Sequence, residues 1–153
     1  MSNQKRFIAE EEARDILSHG SYGILCTLSP DGEPYGVPVN YYYAKEENCI
    51  VFHCALAGRK IDNMNANSKV SFTVVGFEKV IPSKTTTHYE SAIAFGNAQV
   101  VSDETQKIEK LKILCQKYGS GADVTDAAIA KYLHATAVVA IHIQKVTGKR
   151  NNG

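Results

Sequence analysis

The sequence contains no tryptophan, and residues that interrupt regular structure are few. Its 153 residues include 4 prolines, 2 methionines and 11 glycines. Neither sign of charge dominates, because 17 Lys and Arg residues balance 16 Asp and Glu residues. A chain so close to neutral lacks the basic excess of nucleic-acid-binding proteins, and no block of like charges forms a tail. We therefore expect no nucleic-acid partner.

Long apolar segments and paired cysteine motifs are also missing. No segment approaches the roughly 20 apolar residues of a membrane span, and the N-terminal residues lack the apolar centre of a signal peptide. Cys26, Cys49, Cys54 and Cys115 form no CxxC motif, so we expect reduced thiols in a cytoplasmic protein that binds no membrane. His53 and Cys54 are adjacent on a predicted strand and point to opposite faces, so we expect no metal site there.

The length and the apolar pattern predict one domain over residues 1–153 with a mostly β fold. Alternating apolar residues predict six strands, and apolar residues spaced three and four apart predict short helices. The predicted strands are residues 22–28, 34–43, 49–54, 69–75, 89–101 and 136–146. The predicted helices are residues 9–19, 103–118, 125–134 and a short helix after Lys60. This strand spacing suits a small barrel, in which closure removes exposed edges.

Four places in this pattern predict irregular structure. Pro38 cannot donate to a sheet, so its strand lies at an edge, contains a bulge, or offers its backbone to another molecule. Gly96 predicts a bulge or bend within its strand. Residues 76–88 fit neither period, and a loop of that length in a small domain is often functional. Residues 147–153 are polar and typical of a frayed chain end.

Residues 50–67 have the pattern of an anion-binding turn. An apolar strand leads to His53, and Gly58 is followed by the adjacent cations Arg59 and Lys60 at the start of a short helix. Glycine lets the backbone approach a ligand closely, and the helix N-terminus adds partial positive charge. This arrangement favours a phosphate site. The alternative is an ordinary turn with two solvated cations.

Four segments together carry a resemblance to a known family. They are PDGEPYGVPVNYYY (residues 30–43), IVFHCALAGRKIDNM (50–64), YESAIAFGNAQVV (89–101) and VTGKR (146–150). The chain resembles the FMN-binding split-barrel flavoproteins of the pyridoxamine-phosphate-oxidase-like superfamily, and most closely the branch of the 5-nitroimidazole-resistance proteins. The resemblance implies an α+β, mostly β fold: a six-stranded antiparallel split β-barrel with flanking short helices. It also implies a homodimer with flavin between its subunits.

The resemblance assigns roles to particular residues. Arg59 and Lys60 would hold the FMN phosphate, and His53, the one candidate catalytic residue, would lie near the ribityl chain or the flavin edge. The strand around Pro38 would run past the isoalloxazine and offer backbone groups to its polar rim. The implied cofactor-binding residues are Val37, Pro38, Val39, Asn40, His53, Gly58, Arg59, Lys60, Glu90 and Ser91.

The implied function is an FMN-dependent oxidoreductase that reduces a small acceptor, for example a nitroaromatic, with NAD(P)H or another donor. Two alternatives stay open: a non-catalytic flavin-binding or redox-sensing module, and the same fold binding F420 or haem. His88, His134 and His142 are available as haem ligands, and their spacing favours none of them. The sequence ends soon after Arg150, without the substrate-binding extension of pyridoxamine-phosphate oxidase proper, so vitamin B6 oxidation is not expected. Besides forming a frayed basic chain end, Lys149 and Arg150 could reach a flavin shared with the partner subunit.

Overall fold

An antiparallel sheet of eight strands carries four short helices in the computed structural model, which describes residues 4–153. The strands are β1 (Phe7–Ile8), β2 (Gly23–Leu28), β3 (Pro34–Val39), β4 (Tyr42–Ala44), β5 (Cys49–Ala55), β6 (Lys69–Ile81), β7 (Thr86–Val100) and β8 (Thr136–Asn151). The helices are α1 (Glu10–His19), α2 (Arg59–Ala66), α3 (Glu104–Lys117) and α4 (Ala122–Tyr132). The predicted class, α+β and mostly β, is confirmed. Within the described residues, no helix has the length and apolar content needed to cross a membrane.

The order of the strands leaves β3 at one end of the sheet. The order is β3-β2-β6-β7-β8-β5-β4, and β1 pairs with β8 outside this path. No backbone pairing between residues 4–153 joins β3 to β4, although only two residues separate these strands in the chain. Pro38 therefore lies on an edge strand, which is one of the three arrangements that its sequence position predicted.

The predicted number of six strands was wrong by two. The predicted strand 34–43 consists of two strands, because the chain leaves β2 after Val39 and Tyr42 pairs with Val51 of β5. The other additional strand is β1, whose two residues are too few to show a periodic pattern. Both differences add edge pairings and leave the class of the fold unchanged.

The prediction of a loop at residues 76–88 was also wrong. β6 and β7 continue as a paired hairpin to a short 3-10 turn at Pro82–Lys84. A register shift between Val75 and Phe77 interrupts the alternation of side chains, which explains why the pattern was not recognised as strand. The hairpin exposes three large apolar side chains, since Val75, Phe77 and Val80 are 56%, 48% and 59% accessible.

The predicted frayed end at residues 147–153 is ordered as far as Asn151. β8 runs to this residue and pairs with the start of β7. The guanidinium of Arg150 donates to Glu12 of α1 at 2.7 Å and to Glu90 of β7 at 3.3 Å. The pairing of β8 with β7 supplies tertiary contacts that a short polar segment does not reveal by its composition.

The two faces of the sheet bury separate groups of side chains. The main core packs α1 and α2 against one face and contains Leu25, Ile50, Phe52, Phe72, Val74, Val139 and Ile141. A smaller core lies under α3 on the opposite face and contains Tyr42, Cys49, Val51, Leu111, Leu114, Leu133, Val138 and Ala140. Successive residues of β5 contribute to the two cores in turn, as expected for a strand covered on both faces.

The C-terminal end of α3 is tied to the connection between β3 and β4. The ammonium of Lys117 donates to the carbonyl oxygens of Gly20 and Tyr41 at 2.8 and 2.7 Å, and it lies 3.8 Å from the centre of the Tyr41 ring. Burial lowers the pKa of Lys117 to about 8. The Tyr41 hydroxyl in turn donates to the carbonyl of Leu17 at 2.6 Å. These bonds hold α3 against the sheet beside Asn40.

Candidate functional site

The turn before α2 combines an open backbone with two cations. Gly58 precedes the helix with a φ of 132°, and a Cβ atom placed on it would meet no atom within 4 Å. Within the described part of the chain no side chain caps the helix N-terminus, so its first backbone N–H groups lack a side-chain acceptor. Arg59 and Lys60 are the first two residues of the helix. The backbone, its dipole and two cations therefore converge at one end of α2.

The body of α2 is anchored to the sheet. Ile61 and Met64 are buried in the main core. The side-chain amide of Asn63 donates to the hydroxyl of Thr27 on β2 at 2.9 Å, and both residues are buried. A helix of this length is not stable alone, so these contacts keep the anion-binding turn in place.

Arg59 lies against the hairpin of β2 and β3. Its guanidinium pairs with the carboxylate of Glu33 and lies 4.6 Å from the centre of the Tyr35 ring. The Arg59 and Glu33 side chains are 44% and 63% exposed, and an ion pair so accessible to water contributes about 1 kcal/mol or less. The guanidinium of Arg59 can therefore exchange this partner at little cost.

Lys60 is half-buried, and its charge acts on the thiol of Cys54. Burial raises the pKa of Cys54, and the charge of Lys60 partly opposes that increase. The protonated thiol makes Cys54 a poor nucleophile at neutral pH. Cys54 is therefore not a candidate nucleophile at this site.

His53 and Asn40 line a common cavity on the face of the sheet that α3 covers. On β5, Cys49 and Val51 belong to the smaller core, and His53 follows on the same face. The cavity has a volume of about 230 Å³ and is closed on its far side by α3 and α4, with Tyr118 in its wall. The structure thus brings together two of the residues that the sequence assigned to the cofactor.

The imidazole of His53 is expected to be neutral at pH 7. Burial alone lowers its pKa from the ordinary 6.5. Below that pH the unfolded chain binds a proton at this position that the folded chain does not, so the free energy of unfolding should fall as the pH decreases below 6.5. An NMR titration of the imidazole should give a midpoint below 6.5. A midpoint above 6.5 would contradict the assignment.

The strand β3 has an edge with unpaired backbone groups. Val37 and Val39 pack against the main core, whereas Pro38 and Asn40 are exposed. Because β3 pairs only with β2 among the described residues, the backbone groups along its other edge have no strand partner. This arrangement agrees with a predicted contact through the backbone.

A family model described as pyridoxamine 5'-phosphate oxidase matches residues 9–150. The chain belongs to this family. The superfamily that the sequence motifs indicated is thereby confirmed. A search of curated proteins gave no match.

Solved structures with the same fold include three whose descriptions name a ligand or a resistance. A protein of Bacteroides thetaiotaomicron described as a 5-nitroimidazole antibiotic resistance protein is 20% identical, with a TM-score of 0.75 over 94% of this chain and 85% of that one. A FAD-binding protein of Mesorhizobium loti is 21% identical, with a TM-score of 0.71 over 96% of this chain and 98% of that one. A FAD- and haem-binding protein of Mycobacterium smegmatis is 18% identical, with a TM-score of 0.73 over 95% and 72%. At these identities the similarity establishes the fold.

Two further residues that the family resemblance implied, Glu90 and Ser91, lie apart from β3 within one chain. In the sheet order, β2 and β6 separate β3 from β7, which corresponds to about 14 Å along the sheet. Glu90 accepts from His19 at 2.7 Å and from Arg150, and Ser91 pairs with Lys149 on the next strand. Glu90 and Ser91 therefore lie on a strand that is not adjacent to β3, and their partners are His19, Arg150 and Lys149.

The sequence did not reveal several residues around the site of this family member. Glu33 and Tyr35 contact Arg59 from the preceding hairpin, 24 or more positions away in the chain. The apolar wall of the cavity comes from α3 and α4. The periodic apolar spacing of α3 and α4 predicted helices. It does not show whether an apolar helix face lines a cavity or packs against a filled core.

Proposed function

We propose that this protein is an FMN-dependent oxidoreductase that reduces a small acceptor, such as a nitroaromatic, with flavin bound at the interface of a homodimer. The observation that carries the proposal is the uncapped N-terminus of α2, where Gly58, Arg59 and Lys60 form an open, cationic turn. Membership of the pyridoxamine 5'-phosphate oxidase family supports it, as do the FAD-binding and nitroimidazole-resistance descriptions of proteins with the same fold.

The residues at the turn fit a phosphate monoester. The FMN phosphate is close to a dianion at pH 7, and arginine offers it a planar pair of donors while lysine offers a compact charge. The exposed edge of β3 would supply backbone groups to the polar rim of the isoalloxazine, with Asn40 and His53 beside it. The flavin supplies the redox chemistry when bound, and these residues bind and orient it.

The proposed homodimer is supported by two features of the sheet. The hairpin of β6 and β7 exposes Val75, Phe77 and Val80, which are suited to burial against a second subunit. In their own chain β2 and β6 separate Glu90 and Ser91 from β3, and a flavin held between two subunits could contact β3 of one and these residues of the other. Sedimentation velocity should give twice the chain mass. A monomer that binds flavin fully would contradict the dimer.

The decisive experiment for the cofactor is to purify the protein without added flavin, record its visible spectrum and identify any released chromophore. Released FMN at about one per chain would support the proposal. Released FAD or a Soret band would replace FMN with FAD or haem, and a protein that takes up no flavin would overturn the flavin assignment.

Bleaching of bound FMN by NADH or NADPH tests the electron donor, and bleaching without acceptor turnover favours the redox-sensing alternative.

Replacing Glu33 with glutamine should strengthen FMN binding. The carboxylate competes with phosphate for Arg59, and its exposed ion pair is worth about 0.2–1 kcal/mol, so the affinity should rise between about 1.5- and fivefold. Quenching of FMN fluorescence on binding measures the change. Glu46→Gln, an exposed carboxylate in the turn before β5, is the matched control and should have no effect. Weaker binding in Glu33→Gln would show that Glu33 holds Arg59 in its binding position.

A further inference from the structure

The cavity between the helices and β5 is separate from the anion-binding turn. We call it the helix-pair cavity, and its floor and inner wall are formed by Leu111, Leu114, Cys115, Ile129 and Leu133. Leu111, Leu114 and Leu133 are buried, whereas Asn40, His53 and Tyr132 in its lining are exposed. The cavity thus combines an apolar floor with a polar entrance.

Among residues 4–153, no charged group lines this cavity. Its lining consists of aliphatic side chains, two tyrosines, Asn40, His53, Cys115, Ser120 and Thr136, without Asp, Glu, Lys or Arg. Partial desolvation among these side chains lowers the pKa of His53, although the residue still reaches solvent, so its imidazole carries no charge at pH 7. A charged ligand would lose hydration here without gaining a partner, which costs several kcal/mol. The lining therefore selects against ions, including the phosphate that suits the turn at Gly58.

The volume limits the occupant to a small molecule. An apolar cavity of about 150 Å³ can hold benzene. The helix-pair cavity, at about 230 Å³, can accommodate one or two fused rings. Tyr118 and Tyr132 present aromatic rings in its wall, which favours a flat aromatic occupant over a branched aliphatic one. A ring nitrogen of His53 can donate one hydrogen bond to a polar atom of that occupant or accept one from it.

We infer that the helix-pair cavity binds an uncharged aromatic molecule of one or two rings, with a polar atom directed at His53. Because Asn40 and His53 also belong to the proposed flavin site, such a molecule would lie beside the flavin and represents the substrate class of the reaction. That last step rests on the proposed function, whereas binding in the cavity does not.

Indole is a suitable probe, because the protein has no tryptophan and the fluorescence of indole is therefore free of background from that residue. The purified protein should bind one indole per chain saturably. Indole-3-carboxylate, the matched charged probe, should bind at least tenfold more weakly. In the wild-type protein, NOEs should connect indole protons to methyl groups of Leu111, Leu114 and Ile129.

Two variants of α4 locate the binding site. Ala128→Phe fills the cavity and should abolish indole binding, whereas Val124→Phe, at an exposed position of the same helix that does not line the cavity, should retain it. Thermal melting of both variants shows whether they fold. Equal affinity for the two probes, or NOEs to other residues, would overturn the inference whatever the variants do. Retained indole binding in a folded Ala128→Phe variant would overturn it as well.

FMN titrations separate this inference from the proposed function. Ala128→Phe should bind FMN as the wild type does, because the variant leaves the anion-binding turn intact. If indole and FMN compete, or if Ala128→Phe loses both, the cavity is part of the flavin site and the inference fails. If the wild type binds indole in the cavity but takes up no FMN, the proposed function fails and the binding site stands.

Discussion

Replacing Arg59 with alanine is expected to weaken FMN binding by about ten- to a hundredfold. A hydrogen bond to a charged group contributes roughly 1.5–3 kcal/mol, and each 1.4 kcal/mol changes the affinity tenfold. The loss of the guanidinium also leaves the carboxylate of Glu33 near the phosphate without its partner, which adds repulsion. Fluorescence quenching of FMN, measured at one fixed salt concentration, gives the two dissociation constants.

A control variant and a control ligand show whether the lost affinity is specific to the contact between Arg59 and the phosphate. Lys112→Ala removes an exposed cation that pairs weakly with Asp126 on α4, and it should bind FMN as the wild type does. Riboflavin lacks the phosphate, so Arg59→Ala should bind it as well as the wild type does. An equal loss of riboflavin and FMN affinity would show that Arg59 supports the protein structure or contacts the isoalloxazine ring. The assignment of Arg59 to the phosphate would then be wrong.

Replacing Gly96 with alanine is expected to destabilise the fold by about 3 kcal/mol. A Cβ atom on Gly96 would lie 2.1 Å from the carbonyl oxygen of His142, a backbone atom of the paired strand. The register of β7 and β8 shifts between Phe95 and Gly96, so the glycine sits at a bulge, as its place in the sequence predicted. Because the obstacle is backbone, no side-chain rotation can relieve it.

Urea unfolding of the flavin-free protein at one protein concentration measures this effect without contributions from ligand binding. The melting temperature should fall by about 6–12 °C for a domain of this size. Gly36→Ala is the matched control, since a Cβ atom on that β3 residue would make only ordinary contacts at 3.5 and 3.7 Å. Equal stability of Gly96→Ala and the wild type would mean that β7 and β8 can separate locally at little cost.

Local patterns predicted most of the individual elements. The helix at residues 9–19 follows from the spacing of its apolar residues, and the structure contains it. The cationic turn was found because Gly58, Arg59 and Lys60 are consecutive. Sequence reasoning failed at the hairpin of residues 76–88, where the register shift beside Gly76 removes the alternation on which strand prediction depends.

The partners of the predicted residues could not be inferred in the same way. Nothing near Arg59 in the sequence indicates that Glu33 and Tyr35 contact it. Arg150 was placed in a frayed end, yet it bridges α1 and β7. Such contacts form when distant segments pack, and they depend on the burial of the whole sheet rather than on the composition of either segment.

By itself the sequence determined the class of the fold, the edge-prone strand at Pro38, the cationic turn at Gly58 and, through family motifs, the expected cofactor. The tertiary structure alone decided the order of the strands, the separation of β7 from β3, and the placement of His53 in an uncharged cavity under α3 and α4. The reason is physical: turns and periodic faces depend on neighbours within a few residues, whereas strand order and cavities depend on which distant surfaces bury each other.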